Sequence, residues 1–169
     1  IQPNDEHPLS DGLTQRRLAM ADERTDFPAC EFTQKGFLGD RHCPHPGEFM
    51  EIGGRRLCIF HWDPEDAGGR RSKLGHFQPR FAELVFRFGW DPDKPGVDLS
   101  GLRLDCRGFV FPAGFAYLSG RAVPPADFHY ARFGPGAQFI RSSFAGGARF
   151  HWAAFEDNIS FDHADFGDG

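Results

Sequence analysis

From Ala126 onward the chain divides into four lines of eleven residues: ADFHYARFGPG, AQFIRSSFAGG, ARFHWAAFEDN and ISFDHADFGDG. Phenylalanine fills the third and eighth place of every line, at Phe128, Phe133, Phe139, Phe144, Phe150, Phe155, Phe161 and Phe166. Two residues before each stands a small side chain (Ala126, Ala131, Ala137, Ser142, Ala148, Ala153, Ala164), with Ile159 the exception. A beat of five and six residues matches neither the 3.6-residue period of a helix nor the two-residue period of a strand. It fits a solenoid in which each short segment makes one side of a coil, with the large residue and the small one before it turned inward.

Upstream, the same spacing links Leu99, Leu104 and Phe109, then Leu118 and Val123, across an irregular stretch FVFPAGFAY. Counting these five with the eight phenylalanines predicts thirteen inward positions and a little over three coils. Coils should stack about 4.8 Å apart by ordinary strand pairing, and each buried Phe ring should contribute on the order of 2 kcal/mol. The intervening Arg, Asp, His and Gly residues are expected at water-facing corners, with Gly134-Pro135-Gly136 and Gly146-Gly147 at the longer ones.

The second constraint is a spacing of cysteines. Cys30, Cys43 and Cys58 are followed by His61 in the run Cys58-Ile59-Phe60-His61. A thiolate and an imidazole presented from one tight turn, with two further sulfurs from preceding loops, complete a tetrahedral Cys3His set for a structural zinc ion. The surrounding forty residues are rich in Gly and Pro and are too few to build much core, so a staple is expected there. Disulfides and free thiols are the alternatives for the cysteines. His42 and His45 flank Cys43, and the sequence leaves open whether either replaces a ligand. Four protein ligands leave no open position for zinc catalysis, and neither paired carboxylates nor a nucleophile constellation stands out.

Between these two parts, Phe77, Phe81, Leu84 and Phe88 fall on one face of a helix. Because Pro79 is accommodated best in a first turn, regular helix is expected from about Gln78 to Phe88, with Gly89 as its stop. This helix should cover the first coil. The expected organisation is therefore an extended arm over 1–26, in which Leu13 to Leu18 has modest helix propensity, a zinc module over 27–66, a linker and capping helix over 67–96, and repeats over 97–169. The absence of a capping sequence after the last repeat leads to the expectation that the natural chain continues past Gly169, or that another molecule covers that end.

These features resemble the pentapeptide-repeat proteins, whose motif places a small residue before Asp or Asn and then Leu or Phe. Ala126-Asp127-Phe128 and Ala164-Asp165-Phe166 follow it directly. A bacterial subgroup of that family has a similar order of modules: cysteines ending in CIFH, a short helix, a segment like Gly108-Phe109-Val110-Phe111-Pro112, and Phe-rich repeats. The resemblance implies a mainly β fold, a right-handed quadrilateral β-helix, in a bacterial cytoplasmic protein with no known catalysis. Some members carry membrane segments further on, so membrane association through other regions or partners is compatible with it. The chain departs from the plainest pattern at Leu118, Val123 and Ile159.

The functional expectation is a non-enzymatic scaffold that binds protein partners, probing them with His129, Tyr130, Arg132, Arg141, His151 and Trp152. The alternative is a DNA-mimicking regulator of a DNA topoisomerase, an activity some members of the family show. Residues 97–169 hold eight acidic residues against six arginines, too balanced for a good mimic, and only the stretch with Glu156, Asp157, Asp162, Asp165 and Asp168 is one-sided. A net charge of −5 without a basic stripe argues against nucleic-acid binding. His129 and His151 hold equivalent places two lines apart, and would stack if two lines make one coil.

Overall fold

The computed structural model describes residues 30–34, 41–43, 45, 49–63, 70–94 and 96–167. The predicted arm over 1–26 and most of the linker before the helix lie outside these residues. The fold is mainly short strands in parallel sheets, with one helix among the described residues. Among the described residues no helix is long and apolar enough to cross a membrane.

Four short strands come first: β1 (Thr33–Gln34) pairs antiparallel with β2 (Arg41–His42), and β3 (Phe49–Ile52) pairs antiparallel with β4 (Arg55–Cys58). The helix α1 (Arg70–Arg87) follows. It starts eight residues before the expected Gln78, and Pro79 lies inside it rather than in its first turn. Both Pro79 and Gly75, whose carbonyl loses its usual partner, are exposed, so water can satisfy that carbonyl. The opposite face buries Lys73, Phe77, Phe81, Leu84 and Val85, and this packing outweighs the local cost of the proline. Phe88, expected on the same face, is instead exposed just past the helix end. Gly89 ends the helix as expected: Trp90 N–H donates to Val85 O (3.1 Å) and Gly89 N–H to Phe86 O (3.0 Å), closing off the last carbonyls.

The repeats form parallel ladders. One joins β5 (Leu104–Asp105), β8 (Ala126–Asp127) and β11 (Ala148–Arg149). A second joins β6 (Val110–Phe111), β9 (Arg132–Phe133) and β12 (Ala154–Phe155). A third pairs β7 (Ala122–Val123) with β10 (Ser143–Phe144) and is extended by a Ser143–Asp165 bridge. A fourth line is marked by the Gln138–Ser160 bridge. Partners lie 22 residues apart in every line except β7 to β10, where they lie 21 apart. Two lines of eleven therefore make one turn of the stack.

Inside, phenylalanines stack ring on ring along each ladder. Phe111, Phe133 and Phe155 form one column at 4.6 and 5.1 Å, and Phe128–Phe150, Phe139–Phe161 and Phe144–Phe166 stack at 5.0, 5.0 and 5.1 Å. These separations match the strand spacing, so the backbone ladder and the ring stack reinforce each other. The small residues Ala126, Ala131, Ala137 and Ser142 are buried beside them. In the last turn Phe155 and Phe166 are the more exposed rings.

Leu99, Leu104, Phe109, Leu118 and Val123 are all buried, as their spacing predicts. Their phase in the first turn is different, however. Leu104 pairs with Ala126, and Phe109 aligns with Ala131, so both occupy small-residue places. The ring places belong to Cys106 and Phe111, aligned with Phe128 and Phe133. Larger residues fit the small places here because the first turn has the helix and the cysteine module, not another turn, above it. Phe77 and Phe81 pack edge-on against Phe115 at 5.7 and 5.4 Å, and the buried core runs without a break from Cys30 to Phe144.

Candidate metal centre

Cys58 closes β4, and the turn after it is tight: His61 N–H and Trp62 N–H both donate to Cys58 O, at 2.9 and 3.3 Å. That turn brings His61 Nδ1 to 3.2 Å from Cys58 Sγ. Cys43, just after β2, lies with its sulfur 3.7 Å from that of Cys58, and Cys30, just before β1, lies 3.7 Å from His61 Nδ1. The four ligand atoms all fall within 4.8 Å of one another, and all four residues are buried. The predicted set is thus assembled as one cluster, within metal-binding distance. None of the cysteines is in a disulfide.

The separations suit a single tetrahedral ion. With metal–sulfur bonds of about 2.3 Å and metal–nitrogen bonds of about 2.0–2.1 Å, tetrahedral edges are about 3.8 Å between sulfurs and about 3.6 Å between sulfur and nitrogen. Cys58 N–H donates to Cys30 Sγ (3.2 Å) and His45 N–H to Cys43 Sγ (3.4 Å), bonds that favour thiolates over thiols. Hydrogen bonding from Cys43 first, and from Cys58 second, holds the Cys30 thiol far below its ordinary range, while Cys43 is pushed up because its proton is committed to Cys30. Cys58 is pushed up to about 12, chiefly by its bond to Cys30. Metal ligation requires thiolates, so loading the cluster would release protons from these thiols.

The two flanking histidines are separated by the fold. His42 is exposed, its Nδ1 3.1 Å from Thr33 Oγ1, and takes no part in the cluster. His45 packs edge-on against Phe60 (5.1 Å) and Phe109 (5.4 Å), with its ring 6.4 Å from that of His61. Burial first, and the neighbouring His61 second, lower its pKa to about 4, so His45 is a neutral wall of the site at physiological pH. The His61 ring is clamped by Phe32, stacked on it at 3.9 Å, and by the edge of Phe109 at 5.4 Å.

The same turn reaches into the solenoid. Phe60 stacks on Phe109 at 4.7 Å, and its carbonyl accepts the N–H of Val110 at 2.7 Å. One turn further on, Phe109 O accepts from Arg132 N–H in the same way (2.8 Å), and Ala131 O accepts from Ala154 N–H (2.8 Å). Phe60 thus supplies the rung that a preceding turn would have supplied. Lys73 fastens the junction: wholly buried, its ammonium donates to Trp62 O (2.6 Å) and to Val110 O, and lies over the Trp62 and Phe77 rings. Burial lowers its pKa to about 7. Neither the Phe60 rung nor the Lys73 fastener is recognisable from local spacing, because each joins segments distant in the chain.

The residues expected to meet partners are distributed over two corners and strand β9. His129 and His151 stack at 4.7 Å, and Tyr130 and Trp152 at 5.0 Å, on successive turns of one corner. Trp152 is 73% exposed although it rests on Tyr130. Arg132 pairs with Asp63 of the cysteine module and, at 3.6 Å, with Glu156. Arg141 is exposed at a different corner, with φ 54°. Comparison with known protein families, with curated proteins and with solved structures finds no match.

Proposed function

We propose that this chain is a non-enzymatic scaffold: a right-handed, four-sided β-helix of the pentapeptide-repeat type, closed at one end by a zinc-stapled cap, that binds a protein partner through its exposed corner. Two observations support the repeat type: the 22-residue pairing distance and the alternation of buried small residues with stacked rings. The Cys3His composition, burial and edge lengths support zinc in a structural role, since four protein ligands satisfy its coordination.

The observation that carries the scaffold reading is the Tyr130–Trp152 pair. Both residues have left-handed backbone, φ 57° and 54°, a conformation that costs bulky side chains about 1 kcal/mol or more. Gly108 stands at the equivalent place one turn earlier. Trp and Tyr are the residue types enriched in protein-binding hot spots, and here a pair of them is left facing solvent. Exposed Arg141 and Arg149 add positive charge to the repeat surface, which weighs against the DNA-mimic alternative.

A photo-crosslinking residue placed at position 152 should capture one reproducible protein in living cells, whereas the same residue at Glu83, exposed on α1, should not. Equal yields at both positions, or none at 152, would overturn the scaffold reading. Metal analysis of the purified chain should find one zinc per molecule.

A further inference from the structure

We infer that His129 and His151 form a second, surface site for a borderline divalent transition ion such as Ni²⁺, Cu²⁺ or Zn²⁺, separate from the Cys3His cluster. The two residues lie one turn apart on the same corner, in register with the Asp127–Arg149 pair that precedes them. Their rings are 4.7 Å apart and inclined by only 14°. The backbone holds them there, through Phe128 N–H to Arg149 O (2.8 Å) and Tyr130 N–H to His151 O (3.0 Å).

The tautomer of His129 is set by its neighbour. Its Nδ1 hydrogen-bonds the carboxylate of Asp127, and an ionised carboxylate is an acceptor alone, so Nδ1 carries the proton in the neutral ring. Nε2 is left with its lone pair. A carboxylate that orients an imidazole and fixes its tautomer in this way is the arrangement found behind metal-bound histidines. Asp127 is itself placed by the N–H of His129 (3.1 Å) and lies 3.9 Å from the Arg107 guanidinium.

Two nitrogens on one ion are separated by at most about 4 Å, given metal–nitrogen bonds of about 2.0–2.1 Å. Rings 4.7 Å apart meet this by tilting their edges together, and His151 is exposed and free to do so. Imidazole ligation favours Ni²⁺, Cu²⁺ and Zn²⁺ over Mg²⁺ or Ca²⁺, and water fills the remaining positions. The Trp152 ring lies 6.5 Å from His129 and 6.3 Å from His151, close enough for its fluorescence to report a paramagnetic ion.

The test uses the untagged full chain, with the metal content of the Cys3His cluster measured before and after. Titration with Ni²⁺ should show one equivalent bound, with quenching of Trp152 emission and no loss of the metal already present. His129→Ala and His151→Ala should each weaken binding at least tenfold and abolish the quenching, and Asp127→Asn should weaken it about tenfold. His163→Ala, at another exposed corner, should leave it unchanged. Circular dichroism melting checks that each variant is folded. Absence of Ni²⁺ binding, or equal binding by folded wild-type and His151→Ala chains, would overturn the second site. Neither result touches the scaffold reading, which stands on the crosslinking outcome.

Discussion

Phe60 and Phe109 lie face to face at 4.7 Å and 10°, one from the cysteine-bearing turn and one from the first turn of the solenoid. Because Phe60 is bracketed by Cys58 and His61, the geometry that gathers the Cys3His cluster and the geometry that starts the ladder are one local structure. Metal occupancy should therefore govern the stability of the repeats as well as that of the cap.

Replacing Cys58 by Ser should abolish metal binding and lower the thermal midpoint of the entire chain. Apparent metal-binding energies at such sites are on the order of 10 kcal/mol at neutral pH. Atomic absorption and calorimetry on the same sample check this. A metal-free variant that melts like the wild type would show the two parts to be uncoupled.

Thiol labelling should separate the four cysteines. Cys106 is wholly buried, and burial first, with Asp105 and Asp127 second, raises its pKa well above the ordinary value. In the metal-loaded chain alkylation should be slow at all four. After chelation Cys30, Cys43 and Cys58 should react first and Cys106 last, as read by peptide mass spectrometry.

Gly108→Ala should destabilise the fold by about 2–3 kcal/mol, more than Gly136→Ala at about 1 kcal/mol. Both have left-handed φ, 68° and 72°. A Cβ at 108 would meet Phe32 Cζ at 2.4 Å, however, whereas at 136 it would meet nothing within 4 Å. The excess at Gly108 measures how firmly the Phe32–His61 stack is pressed against the corner. Denaturant melts of the two variants give the comparison.

The buried Lys73 imposes a pH dependence. Its pKa is lowered on folding to about 7, so between that value and its unfolded value of 10.5 the unfolded chain binds more protons. This group's contribution therefore makes stability rise with pH across that window, flattening above it. Lys73→Met should lack this contribution, so the stability of the wild type relative to the variant should rise from pH 7 to pH 10, with urea melts at pH 7, 8.5 and 10 as the measurement.

The phenylalanine beat was legible because every repeat restates the same requirement, a ring and a small residue per side. The Cys3His set was legible because Cys58 and His61 are neighbours in the chain. Where the reading missed, a long-range contact had overridden a local rule. Leu104 and Phe109 keep the five-residue spacing, yet their phase answers to the cap above them, which gives the ring places to Cys106 and Phe111. Pro79 is a local argument for starting a helix late, and the burial of Lys73 and Phe77 beneath it reverses that argument. Local spacing carries no trace of either effect.

The constant pairing distance of 22 residues has a consequence for how such a protein can change its length. Deleting a block of 22, such as one Phe133-to-Phe155 interval, returns every remaining residue to the same side of the stack and brings equivalent edges together. Removing a single residue moves every later ring off its column until a corner absorbs the slip. The difference between 21 and 22 at β7 and β10 shows one such absorption, at the corner where Pro124-Pro125 faces the longer Ala145-Gly146-Gly147. Length is thus free to vary in whole turns, and corners are where smaller changes can be taken up.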